Sequence, residues 1–184
     1  MEKKNYTGIV PGQHSGKEID TENSVDCNSE QEAHTLFKAA KARLLDVNHW
    51  HEVAGKALAV FQLTDARGQE VNRRMQQGDY FKIDIPGPGS KSGEGYDWVR
   101  VESVEETEQP HVHSVGIRVR PASNPQNNDD EVAHFYSKQS TSNFIVTREG
   151  RRVTASVYDR NTSTNEESGN VADAIRNTTV GAGA

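Results

Sequence analysis

Residues 24–55, SVDCNSEQEAHTLFKAAKARLLDVNHWHEVAG, carry the pattern that decides the fold. SVDC reads as a short strand, and Ser29 followed by Gln31 and Glu32 is a typical helix start, because a serine cap and early acidic residues complement the first turn. Apolar residues then recur at helical spacing, at Ala33, Leu36, Phe37, Ala40 and Leu44. The stretch therefore predicts a strand, an amphipathic helix and a second short helix or turn that ends at Gly55.

After residue 55 the apolar pattern changes to alternation, which is typical of strands with one buried face. Glu149-Gly150 predicts a tight hairpin between the last two strands. Because an antiparallel sheet with one apolar face needs a cover, the order predicts an α+β fold with six to seven antiparallel strands against helices. The predicted strands are KALAVFQLTD (56–65), DYFKIDIPG (79–87), GYDWVRVESVEE (95–106), SVGIRVRP (114–121), EVAHFYSKQ (131–139), SNFIVTREG (142–150) and RRVTASVYDR (151–160), followed by a short helix in VADAIRNTTV (171–180).

Composition divides the chain into two parts. Residues 1–23 are polar and aperiodic, which predicts a flexible N-terminal tail, and residues 24–184 form a single α+β domain. The net charge of -6 argues against nucleic-acid binding, which needs a basic surface. Without an apolar span, an export signal or a second cysteine beside Cys27, we expect no membrane association and a cytoplasmic location.

The opening stretch resembles the START-like helix-grip superfamily, which includes polyketide cyclases and lipid-transfer domains. The resemblance consists of a strand, a helix with small and acidic residues at its start, and then Asp46 and Trp50. It implies a curved sheet wrapped on helices over residues 24–180, with a cavity between the sheet and the last helix. In that superfamily the last helix is long, whereas here it is short and Thr-rich, which implies either a chain truncated at Ala184 or an open cavity.

Aromatic residues on the predicted strands, beside the Gly- and Pro-rich loop 86–95, would line such a cavity. We therefore expect a small apolar or amphipathic ligand and no cofactor. Alternation also places three arginines on one sheet face, where Asp84 and Glu102 could pair with them across strands. The three are Arg100, Arg118 and Arg120. That face is either an anion-binding surface or an ordinary solvated one. The predicted ligand-binding residues are Phe61, Phe81, Trp98, Arg118, Phe135 and Tyr136.

Two histidine pairs raise the question of a metal site. His49 and His51 are two residues apart, which on a helix points their rings about 200° apart, so shared ligation is not expected. In this interpretation Trp50 is a buried anchor below the first helix, and the two histidines beside it face solvent. His111 and His113 could share a face if extended, but a third ligand from Glu105, Glu106 or Glu108 would require the loop to fold back. No metal is predicted.

Catalytic residues are less well indicated than ligand-binding ones. Cys27 has no neighbouring base and is expected to be a small buried apolar residue, and His134 is isolated. A carboxylate pair such as Asp84 with Asp97 or Glu102 is conceivable, although charged side chains on strands usually face water. A ligand-binding module is the preferred hypothesis. The alternatives are a cyclase- or hydrolase-like enzyme using a histidine or carboxylate at the cavity mouth, or an assembly protein completed by a partner, of unknown oligomeric state.

Overall fold

The computed structural model describes residues 4–54, 59–87 and 89–165. In these residues seven strands form one antiparallel sheet in the order β1-β7-β6-β5-β4-β3-β2. The chain starts at one edge, crosses to the other through its helices, and returns strand by strand until β7 pairs with β1. The elements are β1 (Lys17–Asp26), α1 (Glu30–Leu44), a 3₁₀ turn (Val47–His49), α2 (Trp50–Ala54), β2 (Val60–Thr64), β3 (Tyr80–Asp84), β4 (Asp97–Gln109), β5 (Val112–Pro121), β6 (Thr141–Glu149) and β7 (Arg152–Thr162).

Helix α1 forms where the sequence predicts it. Ser29 is the N-cap, and its hydroxyl accepts the Glu32 backbone N–H at 3.1 Å. Ala33 and Phe37 on the apolar stripe are fully buried, and the helix lies over β6 and β7. Its amphipathic face therefore covers one side of the sheet, as the α+β prediction requires.

The core between helices and sheet follows the predicted alternation. Val115, Ile117 and Val119 of β5 are buried on the helix-covered face, together with Phe81 of β3 and Leu63 of β2. Each strand presents every second side chain to this face because the strand period is two. Six of the seven strands predicted after residue 55 are thus confirmed, as β2 to β7.

EVAHFYSKQ is the exception, because residues 131–139 form an irregular loop instead of a strand. Only Tyr136 makes an isolated bridge there, to Thr164. The Tyr136 backbone N–H donates to His134 Nδ1 at 2.9 Å, and the Ser140 N–H donates to the Ser137 carbonyl. These local bonds compete with a strand ladder. The predicted strand was therefore wrong, while the predicted terminal helix and Gly55 lie outside the described residues.

The N-terminal part differs from the flexible tail expected for residues 1–23. Residues 17–23 belong to β1, and the segment 4–16 runs across the sheet face opposite the helices. Ile9 is 3% exposed and packs on Ile145. Gly116 of β5 makes room for it, since a Cβ there would lie 3.0 Å from Ile9 Cγ2. One apolar side chain in a polar segment gives no periodicity, which is why the sequence did not reveal this packing.

In the described part of the chain, no helix has the length and apolar character needed to cross a membrane.

Candidate functional site

The six predicted ligand-binding residues do not form one group. Phe61 and Phe81 lie on the helix-covered face, where the Trp50 ring sits 5.5 Å and 5.7 Å from theirs and 5.3 Å from that of Phe144. Such tilted contacts are favourable for aromatic pairs. Trp50 packs against the sheet, as expected from the sequence, but it is half-buried where a buried anchor was predicted.

The other predicted residues lie elsewhere. Trp98 is 1% exposed on the opposite face, with its indole N–H donated to the Gly93 carbonyl at 3.2 Å. Arg118 is on that face too, and donates to the Ile9 carbonyl below the N-terminal segment. Phe135 and Tyr136 lie in the loop after β5, where their rings are in tilted contact with centroids 4.3 Å apart. The fold thus separates these side chains from Phe61 and Phe81.

The arginines of β4 and β5 share a face, as predicted. Arg100 and Arg120 are register partners, and Glu102 forms ion pairs with both Arg118 and Arg120. The cross-strand pairing expected for Glu102 is confirmed, whereas Asp84 lies in register with Val60 at the other edge of the sheet. Because Glu102 already pairs with two guanidinium groups, an ordinary solvated surface is favoured over an anion-binding one for this face.

The second histidine pair is split by a turn. His111 has a φ of 67° in the β4–β5 hairpin and is well exposed, so the extended geometry considered for it is wrong. His113 Nε2 lies 2.7 Å from Glu106 Oε1, and its ring packs on Phe37 below α1. Among residues 4–54, 59–87 and 89–165, no cluster of three or more histidine, cysteine or acidic side chains could hold a metal ion.

The remaining candidate is a polar cleft around His49, which we call the His49 cleft. It comprises three adjoining cavities of about 340, 330 and 290 Å³, all lined by His49. One wall is the end of α1 with the 3₁₀ turn and the start of α2, and the other is the segment 70–74. The side chains that line it include Arg43, Asp46, His49, Trp50, Glu52, Glu70, Asn72, Arg73 and Arg74.

Asn48 holds the two walls together. Its side-chain amide donates to the Val71 carbonyl at 2.9 Å, and its Oδ1 accepts the Leu63 N–H of β2 at 2.6 Å. The Met75 N–H also donates to the Leu45 carbonyl at 2.9 Å. A side chain that satisfies a backbone acceptor and a backbone donor on two segments fixes their spacing, so the cleft is preformed.

His49 and Asp46 form a solvent-accessible pair that lines the cleft, with side chains 52% and 42% exposed. Nδ1 of His49 lies 2.9 Å from Oδ1 of Asp46. This hydrogen bond, reinforced by the nearby negative charges of Asp46 and Glu52, raises the pKa of His49 above its ordinary value. Nδ1 faces the carboxylate, so Nε2 is the ring atom left for another molecule.

Three arginines line the cleft, and one of them is neutralised. Arg73 forms a bidentate pair with the buried carboxylate of Asp79, at 2.6 and 2.8 Å. The guanidinium groups of Arg43 and Arg74 have no hydrogen bond or ion pair to any described residue. The Arg43 backbone carbonyl accepts the Trp50 indole N–H at 2.9 Å, which joins the charged wall to the aromatic cluster.

Sequence reasoning did not identify this cleft. It assigned no role to His49, and it did not single out Asn48, Arg43 or the segment 70–74. The one local signal was the spacing of Asp46 and His49, since residues three apart face each other on a helical turn. The approach of segment 70–74 is a tertiary contact without a sequence pattern.

Comparisons with known proteins add little. No family model matches the chain, and no curated protein is similar to it in sequence. The crystal structure of a hypothetical protein, jhp0584 from Helicobacter pylori, matches with a TM-score of 0.48 and 14% identity, over 100% of this chain and 91% of the other. A likeness this low says nothing about a shared ligand.

Proposed function

We propose that this chain is a binding protein of START-like, helix-grip type that holds a small amphipathic ligand at the His49 cleft. The observation that carries the proposal is the position of Trp50, which contributes to the cleft wall and also packs on Phe61 and Phe81. The ligand's polar end would occupy the cleft, and its apolar part would contact the Trp50 ring. Small-molecule sites commonly combine apolar walls with a few fixed polar groups.

Several features support this assignment. The antiparallel sheet carries α1 and α2 on one face, in the chain order expected for a helix-grip domain. The cleft is preformed by Asn48, which lowers the ordering cost of binding. The proposal keeps the chain in the cytoplasm, consistent with Cys27 being a buried free thiol.

A titration followed by two-dimensional ¹H–¹⁵N NMR tests the proposal. Octanoate, hexyl phosphate and 1-octanol are added in turn, and the indole N–H resonances of both tryptophans are followed. We expect saturable shifts of the Trp50 resonance, with the Trp98 resonance unchanged because that ring is buried on the opposite face. If no amphiphile moves the Trp50 resonance more than the Trp98 resonance, the proposal fails.

An enzyme on the same scaffold is the second candidate, favoured by the Asp46–His49 pair. A histidine oriented by a carboxylate, with Nε2 directed away from it, is the arrangement that general acid–base catalysis uses. The test is hydrolysis of p-nitrophenyl butyrate and p-nitrophenyl phosphate by the wild-type protein and by His49→Gln. Turnover that His49→Gln abolishes would establish catalysis, and equal rates in both proteins would eliminate it.

A further inference from the structure

We propose that the His49 cleft binds the oxyanion group of its ligand, a phosphate or a carboxylate, through Arg43, Arg74 and His49. This deepens the function proposed above by naming the chemistry of the ligand's polar end. This inference rests on the proposed function only in taking the ligand to have an apolar part as well.

The charge of the cleft supports an anion. Around the middle cavity, of about 330 Å³, the Arg73 charge is balanced by Asp79 and that of His49 by Asp46. Arg43 and Arg74 remain, and neither guanidinium forms an ion pair with a described residue, although Asp46 lines the same cavity. Two unmatched guanidinium groups on facing walls form an electropositive gap in a chain of net charge -6.

The geometry suits a planar or tetrahedral oxyanion. Guanidinium groups offer paired N–H donors that match two oxygens of a phosphate or carboxylate. Arg43 comes from the last turn of α1, and Arg74 from the opposite wall, whose position Asn48 and Met75 fix. His49 lines the same cavity and can donate from Nε2 when protonated. An anion between these walls would contact donors from both sides.

The carboxylates around the cleft determine where in it an anion can bind. Glu70 at the far end is paired with Lys82 at 2.7 Å, and Glu52 lines only the smallest cavity, beside Trp50. Asp46 faces His49. An anion is therefore disfavoured beside Glu52 and favoured between Arg43 and Arg74, so the ligand's apolar part would extend past Glu52 to Trp50.

Anion binding should weaken as the pH rises. The titratable groups that line the cleft with His49 are Arg43 and Asp46 at the end of α1, Glu52 on α2, and Glu70, Arg73 and Arg74 on the other wall. Asp46 and Glu52 raise the pKa of His49, which keeps the imidazolium charged to a higher pH than usual. Its deprotonation removes one positive charge and one donor.

Inorganic phosphate is the first probe, titrated into the full chain at constant ionic strength and followed by NMR of the arginine and backbone N–H groups. We expect saturable shifts at the cleft, reduced about fivefold in affinity by Arg43→Gln or by Arg74→Gln, since each removes a charge-assisted pair. Arg67→Gln is the matched control, because it removes the same charge from the neighbouring turn outside the cleft. Urea unfolding of each variant establishes that it is folded.

The outcomes separate the two proposals. If phosphate moves no cleft resonance, or if Arg67→Gln weakens binding as much as the cleft variants, the oxyanion assignment is overturned. Phenyl phosphate and phenylacetate distinguish phosphate from carboxylate, and benzyl alcohol is the neutral analogue. Equal affinity for benzyl alcohol would overturn the oxyanion assignment while leaving the binding function intact. If phenyl phosphate binds no more tightly than inorganic phosphate, the oxyanion assignment is supported and the proposal of an amphipathic ligand fails.

Discussion

Arg160 of β7 places Nη1 2.6 Å from Oδ1 of Asp20 on β1, with its own side chain only 2% exposed. Glu18 of the same strand lies 3.3 Å from Nη2. A buried guanidinium between two carboxylates ties the first strand to the last at the edge of the sheet. Arg152 and Asp26 pair on the same two strands, but both side chains are exposed.

These two pairs allow a direct comparison of buried and exposed charges. Asp20→Asn combined with Glu18→Gln removes both carboxylates that pair with the buried Arg160 cation and leaves the neighbouring Asp159 as its countercharge, so we expect a loss of about 3 kcal/mol in the free energy of unfolding. Asp26→Asn should cost no more than about 0.5 kcal/mol, because solvent screens an exposed pair. Urea denaturation measures both. Similar losses in the two variants would contradict the burial of Arg160.

The N-terminal segment should contribute to stability. Ile9→Ala removes a side chain that is 3% exposed against Ile145, and we expect a loss of about 2 kcal/mol by urea denaturation. Val25→Ala is the control, because Val25 is 52% exposed and its truncation should change stability by less than about 0.5 kcal/mol. An effect of Ile9→Ala no larger than that of Val25→Ala would mean that residues 4–16 do not pack on the sheet.

The Asp46–His49 pair should be visible in an NMR titration of the histidine ring. We expect the pKa of His49 to lie above its ordinary value, and Asp46→Asn to lower it more than Glu52→Gln, because the hydrogen bond to Asp46 is the larger cause. Since the folded protein holds this proton more tightly than the unfolded chain, the pair favours folding at acidic pH. That contribution is lost as the pH rises through the folded pKa. No change in Asp46→Asn would disprove the pairing.

Glu106 should stabilise the contact between α1 and the sheet. Its hydrogen bond with Lys41, at 2.6 Å to Oε2, is the main reason why its pKa is lowered, although burial opposes the shift and His113 adds to it. The contribution is present above the unfolded pKa and lost as the pH falls through the lower folded value. We expect Glu106→Gln to cost about 0.5–1 kcal/mol at neutral pH, since the pair is partly exposed.

Glu105→Gln is the control for this prediction, because Glu105 is the neighbouring carboxylate on the opposite side of β4. Urea unfolding at neutral and acidic pH should show a cost for Glu106→Gln that shrinks on acidification. The prediction fails if the cost is independent of pH or equal for the two variants.

The sequence predicted those parts of the fold that depend on local periodicity. The cap at Ser29, the stripe containing Phe37 and the alternation in β5 each follow from one segment burying one face, and all three are observed. The loop 131–139 was mistaken for a strand because its apolar residues alternate with polar ones. His134 accepts a local bond from the Tyr136 N–H, and the buried Ser137 and Ser140 bond to residues 161–163 through their side chains. Nothing in the apolar pattern distinguishes this loop from a strand.

What only the tertiary structure decided is which distant residues meet. Arg43 and Arg74 become facing walls of one cleft because Asn48 bonds to both β2 and Val71. Phe61 and Trp98 are separated because strand parity places them on opposite faces. Secondary structure is determined by interactions along the chain, whereas a site requires side chains from segments whose approach is specified by packing and hydrogen bonds between them.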